Sequence, residues 1–161
     1  MDRVVVGEYV FGSETDITDP GYDRNVWCRM NNVPTVPGKY ACIAYILDTG
    51  DWGNRVAMMR IEHESVCGVE DIIADEILVG AIGVDAGLAG FFNKKPDYQD
   101  DEWMKFCDDL GEEYPTHKIV KDGFVCSSGY GDGGYPVYGH KNGNSYDTLE
   151  IVFISEYDDD E

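Results

Sequence analysis

The chain has 161 residues, with 32 acidic side chains against 12 lysines and arginines and a formal net charge of −20. That length suits one domain with a real core and is too short for two ordinary ones. The charge repels nucleic acid and anionic membranes, so direct binding to either is not expected, and a partner should be basic or bring metal ions.

Hydrophobic residues make up 43% of the chain, enough for a globular core despite the charge. No run of 18 apolar residues exists, and the opening "MDRVVVGEYV" lacks the long apolar stretch of a signal peptide, so a cytoplasmic location is expected. Cys28, Cys42, Cys67, Cys107 and Cys126 are widely and irregularly spaced, with no CxxC pair. They are expected to be reduced thiols packed as small hydrophobes.

In chain order, "RVVVGEYVF" reads as a strand, "DITDPGYD" as a turn and "NVWCRM" as a short strand. "NNVPTVPGKY" reads as a connector, with prolines at 34 and 37. Two apolar runs flank the turn-rich "DTGDWGN", which predicts a β-hairpin over 39–62. Ala41, Ile43, Tyr45 and Leu47 lie on one face of its first strand and Tyr40, Cys42, Ala44 and Ile46 on the other. A strand apolar on both faces belongs in the middle of a covered sheet.

Ile72, Ile73, Ile77 and Leu78 fit a short helical turn, while 77–92 reads mostly as strand, interrupted at Asp85-Ala86-Gly87. In "DDEWMKFCDDLGEEY", Trp103, Phe106, Cys107 and Leu110 fall on one helical face, with acids in the first turn and Gly111 beyond the end. The C-terminal third returns to strands in "DGFVCSSGY", "YPVYGHKN" and "YDTLEIVFISEY", the last two joined by the tight turn "NGN". The closing acids predict a disordered tail over 156–161, leaving 1–155 as a single mainly-β domain. The expected fold is mainly β (α+β): an antiparallel β-sandwich or bent sheet with one amphipathic helix near 100–110.

The sequence offers two unlike candidate sites. The first rests on charge: between Asp97 and Glu113 there are eight acids and one lysine, Lys105. Asp100, Asp101, Glu102, Asp108, Asp109, Glu112 and Glu113 are the candidate partner-binding residues, arranged to imitate a nucleic-acid backbone. The plainer account of the same acids is a solvated face that aids solubility.

The second reading rests on the glycine-rich "SSGYGDGGYPVY". It lacks the lysine and the following helix of a phosphate-binding loop, yet its glycines would let a ligand approach the backbone. Asp19, Asp85 and Asp132 stand beside turn glycines and could bind a cation or act as acid and base. Ser128, Tyr130, Tyr135 and His140 complete this alternative pocket. Asp and Gly favour turns intrinsically, which is the competing explanation for each one taken singly. No catalytic set, metal cluster or cofactor motif is present, so no cofactor is expected and an enzyme is the less favoured class. Oligomeric state has no signal in the sequence.

The order of "ITDPGY", "VPGKYACIAYIL", "RVAMMRI", "GVDAGLAGFF" and "SSGYGDGGYPVY" resembles an uncharacterised bacterial and phage family, domain of unknown function number 4241. The resemblance spans roughly 15–155 and rests on Asp19-Pro20, Val84-Asp85-Ala86-Gly87 and Ser128-Gly129-Tyr130-Gly131-Asp132-Gly133 with Tyr135-Pro136. It implies a compact β-rich fold and no activity. The expected function is a non-enzymatic, intracellular acidic binding protein, in concrete form a phage or mobile-element inhibitor that occupies the basic, nucleic-acid-binding surface of a host protein. The alternative is a small-molecule- or metal-binding protein, or a hydrolase, built on Asp19, Asp85 and Asp132.

Overall fold

Two antiparallel sheets face each other across a common core in the computed structural model, which describes residues 1–68 and 75–155. The strands are β1 (Asp2–Phe11), β2 (Glu14–Thr18), β3 (Met30–Pro34), β4 (Gly38–Asp48), β5 (Asn54–His63), β6 (Ile77–Val84) and β7 (Leu88–Phe92). After the helix α1 (Asp100–Leu110) come β8 (His117–Val120), β9 (Gly123–Ser127), β10 (Gly133–Asn142) and β11 (Ser145–Val152). One sheet runs β1-β4-β5-β11-β10-β6 and the other β3-β2-β7-β9-β8. The expected sandwich with one helix is therefore present. The tail 156–161, and Ile72 and Ile73 of the expected helical turn, lie outside the described residues.

The alternation along each strand decides which side chains meet. Tyr40, Cys42 and Ala44 of β4 and Met59 and Ile61 of β5 point into the core, against Ile17, Ala89, Phe91, Phe124 and Cys126 of the opposite sheet. Ile43 faces the other way, beside Arg60, and is still fully buried, so β4 is covered on both sides as its composition predicts. The second sheet is covered twice as well. Its inner face meets the first sheet, while Phe92 and Val125 on its outer face meet Phe106 and Leu110 of α1.

Two local readings are corrected. "NVWCRM" is not a strand: the chain turns through 24–28 and leaves Trp27 92% exposed. Tertiary bonds override its β propensity, since Val26 donates its N–H to the Asp23 carbonyl and the Cys28 carbonyl accepts from Gly83. "NNVP", read as part of a connector, forms with Met30 the edge strand β3, where Pro34 at its end removes no ladder bond the sheet needs. The thiols are all free, but only Cys42 and Cys126 are buried; Cys67 and Cys107 are exposed and Cys28 is half-buried, so most are not core packing. Among the described residues no helix is long and apolar enough to cross a membrane.

Candidate functional site

Three corners of the sandwich meet at one end. Thr18 at the end of β2 pairs with Gly90 of β7, and Leu88 at the start of β7 pairs with Ser127 at the end of β9. Gly133 at the start of β10 pairs with Val84 at the end of β6. The turns that follow these strand ends hold Asp19, Asp85-Ala86-Gly87 and the loop 128–132, so the three islands do converge.

What converges is mostly backbone. The Asp19 carboxylate is fully buried: Oδ1 accepts from the Gly21 N–H, and Oδ2 from the Asp85 and Ala86 N–H groups, each at 2.7 Å. It ties the turn after β2 to the corner where the chain crosses from one sheet to the other. Gly87 in turn accepts the Ser128 N–H through its carbonyl at 3.1 Å. Asp85 and Asp132 carry their carboxylates on the exposed side of these turns. A shallow hollow of about 320 Å³ opens here between Asp19, Tyr22, Asp85 and Trp103.

The glycine-rich loop is closed upon itself. Ser128 donates its hydroxyl to the Gly131 carbonyl at 2.7 Å, and the Tyr135 hydroxyl reaches the same carbonyl at 2.6 Å. Gly129 has a φ of +60°, and a Cβ there would lie 3.0 Å from both Phe153 and Ile154, so glycine is required twice over. Tyr130 projects outward and is 55% exposed. His140 is not part of this end. It lies about 25 Å further along β10 by strand rise and holds Asp147 through Nδ1 at 2.7 Å.

The acidic candidates are all on the surface. Asp100, Asp101, Glu102, Asp108, Asp109, Glu112 and Glu113 are each exposed, and none forms an ion pair among the described residues. At the start of α1 the acids suit the helix dipole, and Glu102 accepts the Gln99 N–H at 3.4 Å. Asp108 and Asp109 sit in the last turn, which contains no basic residue, where a negative charge opposes the dipole. Trp103, Phe106 and Leu110 hold the opposite face of the helix on the sheet, so the carboxylates are presented rather than free to fold inward.

A further charged cluster lies on the outer face of the first sheet. Arg60 is 1% exposed, binds Glu62 through Nε at 2.6 Å, contacts Glu76, and lies 3.4 Å from Glu150. Burial pushes the Glu150 carboxyl up to about 7, with Arg60 pulling against the shift and Glu76 adding to it. Burial likewise raises Glu76. Burial works to lower the Arg60 pKa, but the surrounding glutamates more than offset it and raise it. Nearby, Asp147 Oδ2 and Thr148 Oγ1 are buried without a hydrogen-bond partner. Sequence reasoning passed over this cluster; the signal available was charge at alternate positions, Arg60 and Glu62, inside a strand expected to be central. Among the described residues no group of three or more His, Cys, Asp or Glu is arranged to hold a metal ion.

No family model matches the chain, and neither a curated protein nor a solved structure matches it.

Proposed function

We propose that the protein is a non-enzymatic binding protein whose acidic helix face engages a basic protein surface. The observation that carries this reading is the row of seven exposed carboxylates over 100–113, without an ion pair among the described residues, two of them at the end of α1 where they oppose the dipole. Acids placed for solubility alone have no reason to occupy that end, and a net charge of −20 already exceeds what a small domain needs. In concrete form the partner is a host protein whose basic groove ordinarily holds nucleic acid, and the inhibitor is of phage or mobile-element origin.

The carboxylate-pocket alternative draws less support from the geometry. Asp19 is taken up by three backbone N–H groups and Ser128 by the loop's own carbonyl, which removes the two most enclosed polar groups from ligand chemistry. The reading is tested by capture from host lysate at low and at high salt, with the wild-type chain and with Asp108→Asn, Asp109→Asn, Glu112→Gln and Glu113→Gln combined. A basic protein should be retained by the wild type at low salt and lost at high salt or on neutralisation. Equal retention by both chains, or retention indifferent to salt, would sink it.

A further inference from the structure

The turn of the β4–β5 hairpin, the segment after α1 and the glycine-rich loop bring three exposed aromatic residues around one arginine. Trp52 is 68% exposed, Tyr114 61% and Tyr130 55%. The Arg55 guanidinium lies over the Tyr114 ring at 5.2 Å and the Tyr130 ring at 5.8 Å. Its Nε donates to the Trp52 carbonyl at 3.0 Å, and Nη1 donates to the Tyr114 hydroxyl. Arg3, Arg24, Arg29 and Arg60 each face a carboxylate, whereas Arg55 is the one arginine with no carboxylate partner among the described residues. A hollow of about 390 Å³ opens between Trp52, Arg55 and Tyr130.

Trp, Tyr and Arg dominate binding energy at protein interfaces; Trp and Tyr do so because they bury large area with little loss of side-chain freedom. Here Arg55 holds the Tyr114 and Tyr130 rings in place, which lowers the entropic cost of docking on them, while Trp52 meets Arg55 only through its backbone carbonyl. The rim tells what the occupant carries. Asp51 adjoins Trp52, Glu113 adjoins Tyr114 and Asp132 stands two residues from Tyr130, all three exposed. Glu113 also belongs to the acidic row after α1, so the row runs in the chain up to the patch at Tyr114.

From this geometry we infer that the Trp52–Arg55–Tyr114–Tyr130 patch is the anchor point for a basic polypeptide segment bearing an aromatic side chain, and this rests on the acidic-surface reading above. Arg55 fills the space between the two tyrosines, so the incoming anchor is a ring stacking on Trp52 or Tyr130 rather than a cation in a cage. Flanking lysines or arginines meet Asp51, Glu113 and Asp132. A second copy of this chain is disfavoured as the occupant by a charge of −20 on each side. The carboxylates steer the encounter and the aromatic patch selects among basic partners.

The test uses a short lysine–glycine peptide with one central tryptophan, and the same peptide with glycine there, titrated against the full chain. The wild type should prefer the tryptophan peptide. Trp52→Ala with Tyr130→Ala should weaken that peptide about tenfold or more, leave the glycine peptide within about twofold, and so abolish the preference. Trp52→Tyr in place of the alanine should restore part of it, which separates loss of stacking from loss of fold. The charge-neutralised helix should weaken both peptides alike. No preference in the wild type, or a preference that survives the double substitution, overturns the anchor while leaving the acidic row intact. Neutralisation without effect on either peptide overturns the acidic row instead. Dimerisation of the free chain through Trp52 would overturn the inference by giving the patch to a second copy.

Discussion

Asp19 separates a structural corner from a ligand site more sharply than any other residue. Its carboxylate accepts three N–H groups at 2.7 Å while fully buried. Hydrogen bonds to a charged group are worth about 1.5–3 kcal/mol each. Asp85 and Ala86 are exposed, so water can reach their N–H groups once the carboxylate is gone, which favours the lower end. Asp19→Ala should therefore cost about 4–5 kcal/mol in all. At about 2–4 °C per kcal/mol for a domain of this size, the midpoint of thermal unfolding should fall by roughly 8–20 °C. Asp19→Asn keeps one oxygen for the Asp85 and Ala86 pair and turns an NH₂ against the Gly21 N–H. Its loss should be smaller, about 2–3 kcal/mol. Guanidinium unfolding followed by fluorescence reads the difference, and Trp103, beside Gly21, reports on this corner directly. A loss below about 1 kcal/mol for both variants would mean that these bonds do not hold the corner, and would return Asp19 to the ligand reading.

Ile43→Ala should cost about 2–4 kcal/mol in denaturant unfolding, since Ile43 is fully buried beside Arg60; a loss under about 0.5 kcal/mol would remove β4 from the centre of the sheet. The Glu150 carboxyl is raised from 4.5 to about 7, so the folded protein binds the proton more tightly than the unfolded chain. The stability this supplies is fully present below pH 4.5 and is lost as pH rises through about 7, at no more than about 1.4 kcal/mol per pH unit. Thermal melts from pH 4.5 to 8 should show Glu150→Gln gaining on the wild type as pH rises; a constant difference between them would contradict this.

Much of the fold is legible in the sequence where one local signal decides. The hairpin 39–62 announces itself by two apolar runs around Gly50 and Gly53, both of which adopt positive φ. The helix is given by Trp103, Phe106 and Leu110, and β10–β11 by the turn at Gly143. Elements whose state depends on distant partners are not legible. Val26, Trp27 and Cys28 have strand composition but their backbone is drawn to Asp23 and Gly83, and β8 is a four-residue edge strand defined by its pairing with β9. The candidate sites divide the same way. Acids at 100–109 are exposed because the apolar face of α1 fixes the other face outward. The role of Asp19 could not be read, because only the fold brings the Asp85 and Ala86 N–H groups to it. The anchor patch draws on three loops separated in sequence, and Arg55 is visible as special only once its four fellow arginines are seen to be paired.

On the acidic-surface proposal, Asp108 and Asp109 serve a partner at some expense to the helix that carries them. One paired measurement tests it: thermal stability of Asp108→Asn with Asp109→Asn, alongside the salt dependence of its association rate with the captured basic protein. The variant should be more stable than the wild type by about a few tenths of a kcal/mol per site, with slower association and a shallower fall of that rate with salt. A variant that is no more stable and associates at the wild-type rate at every salt concentration would contradict it.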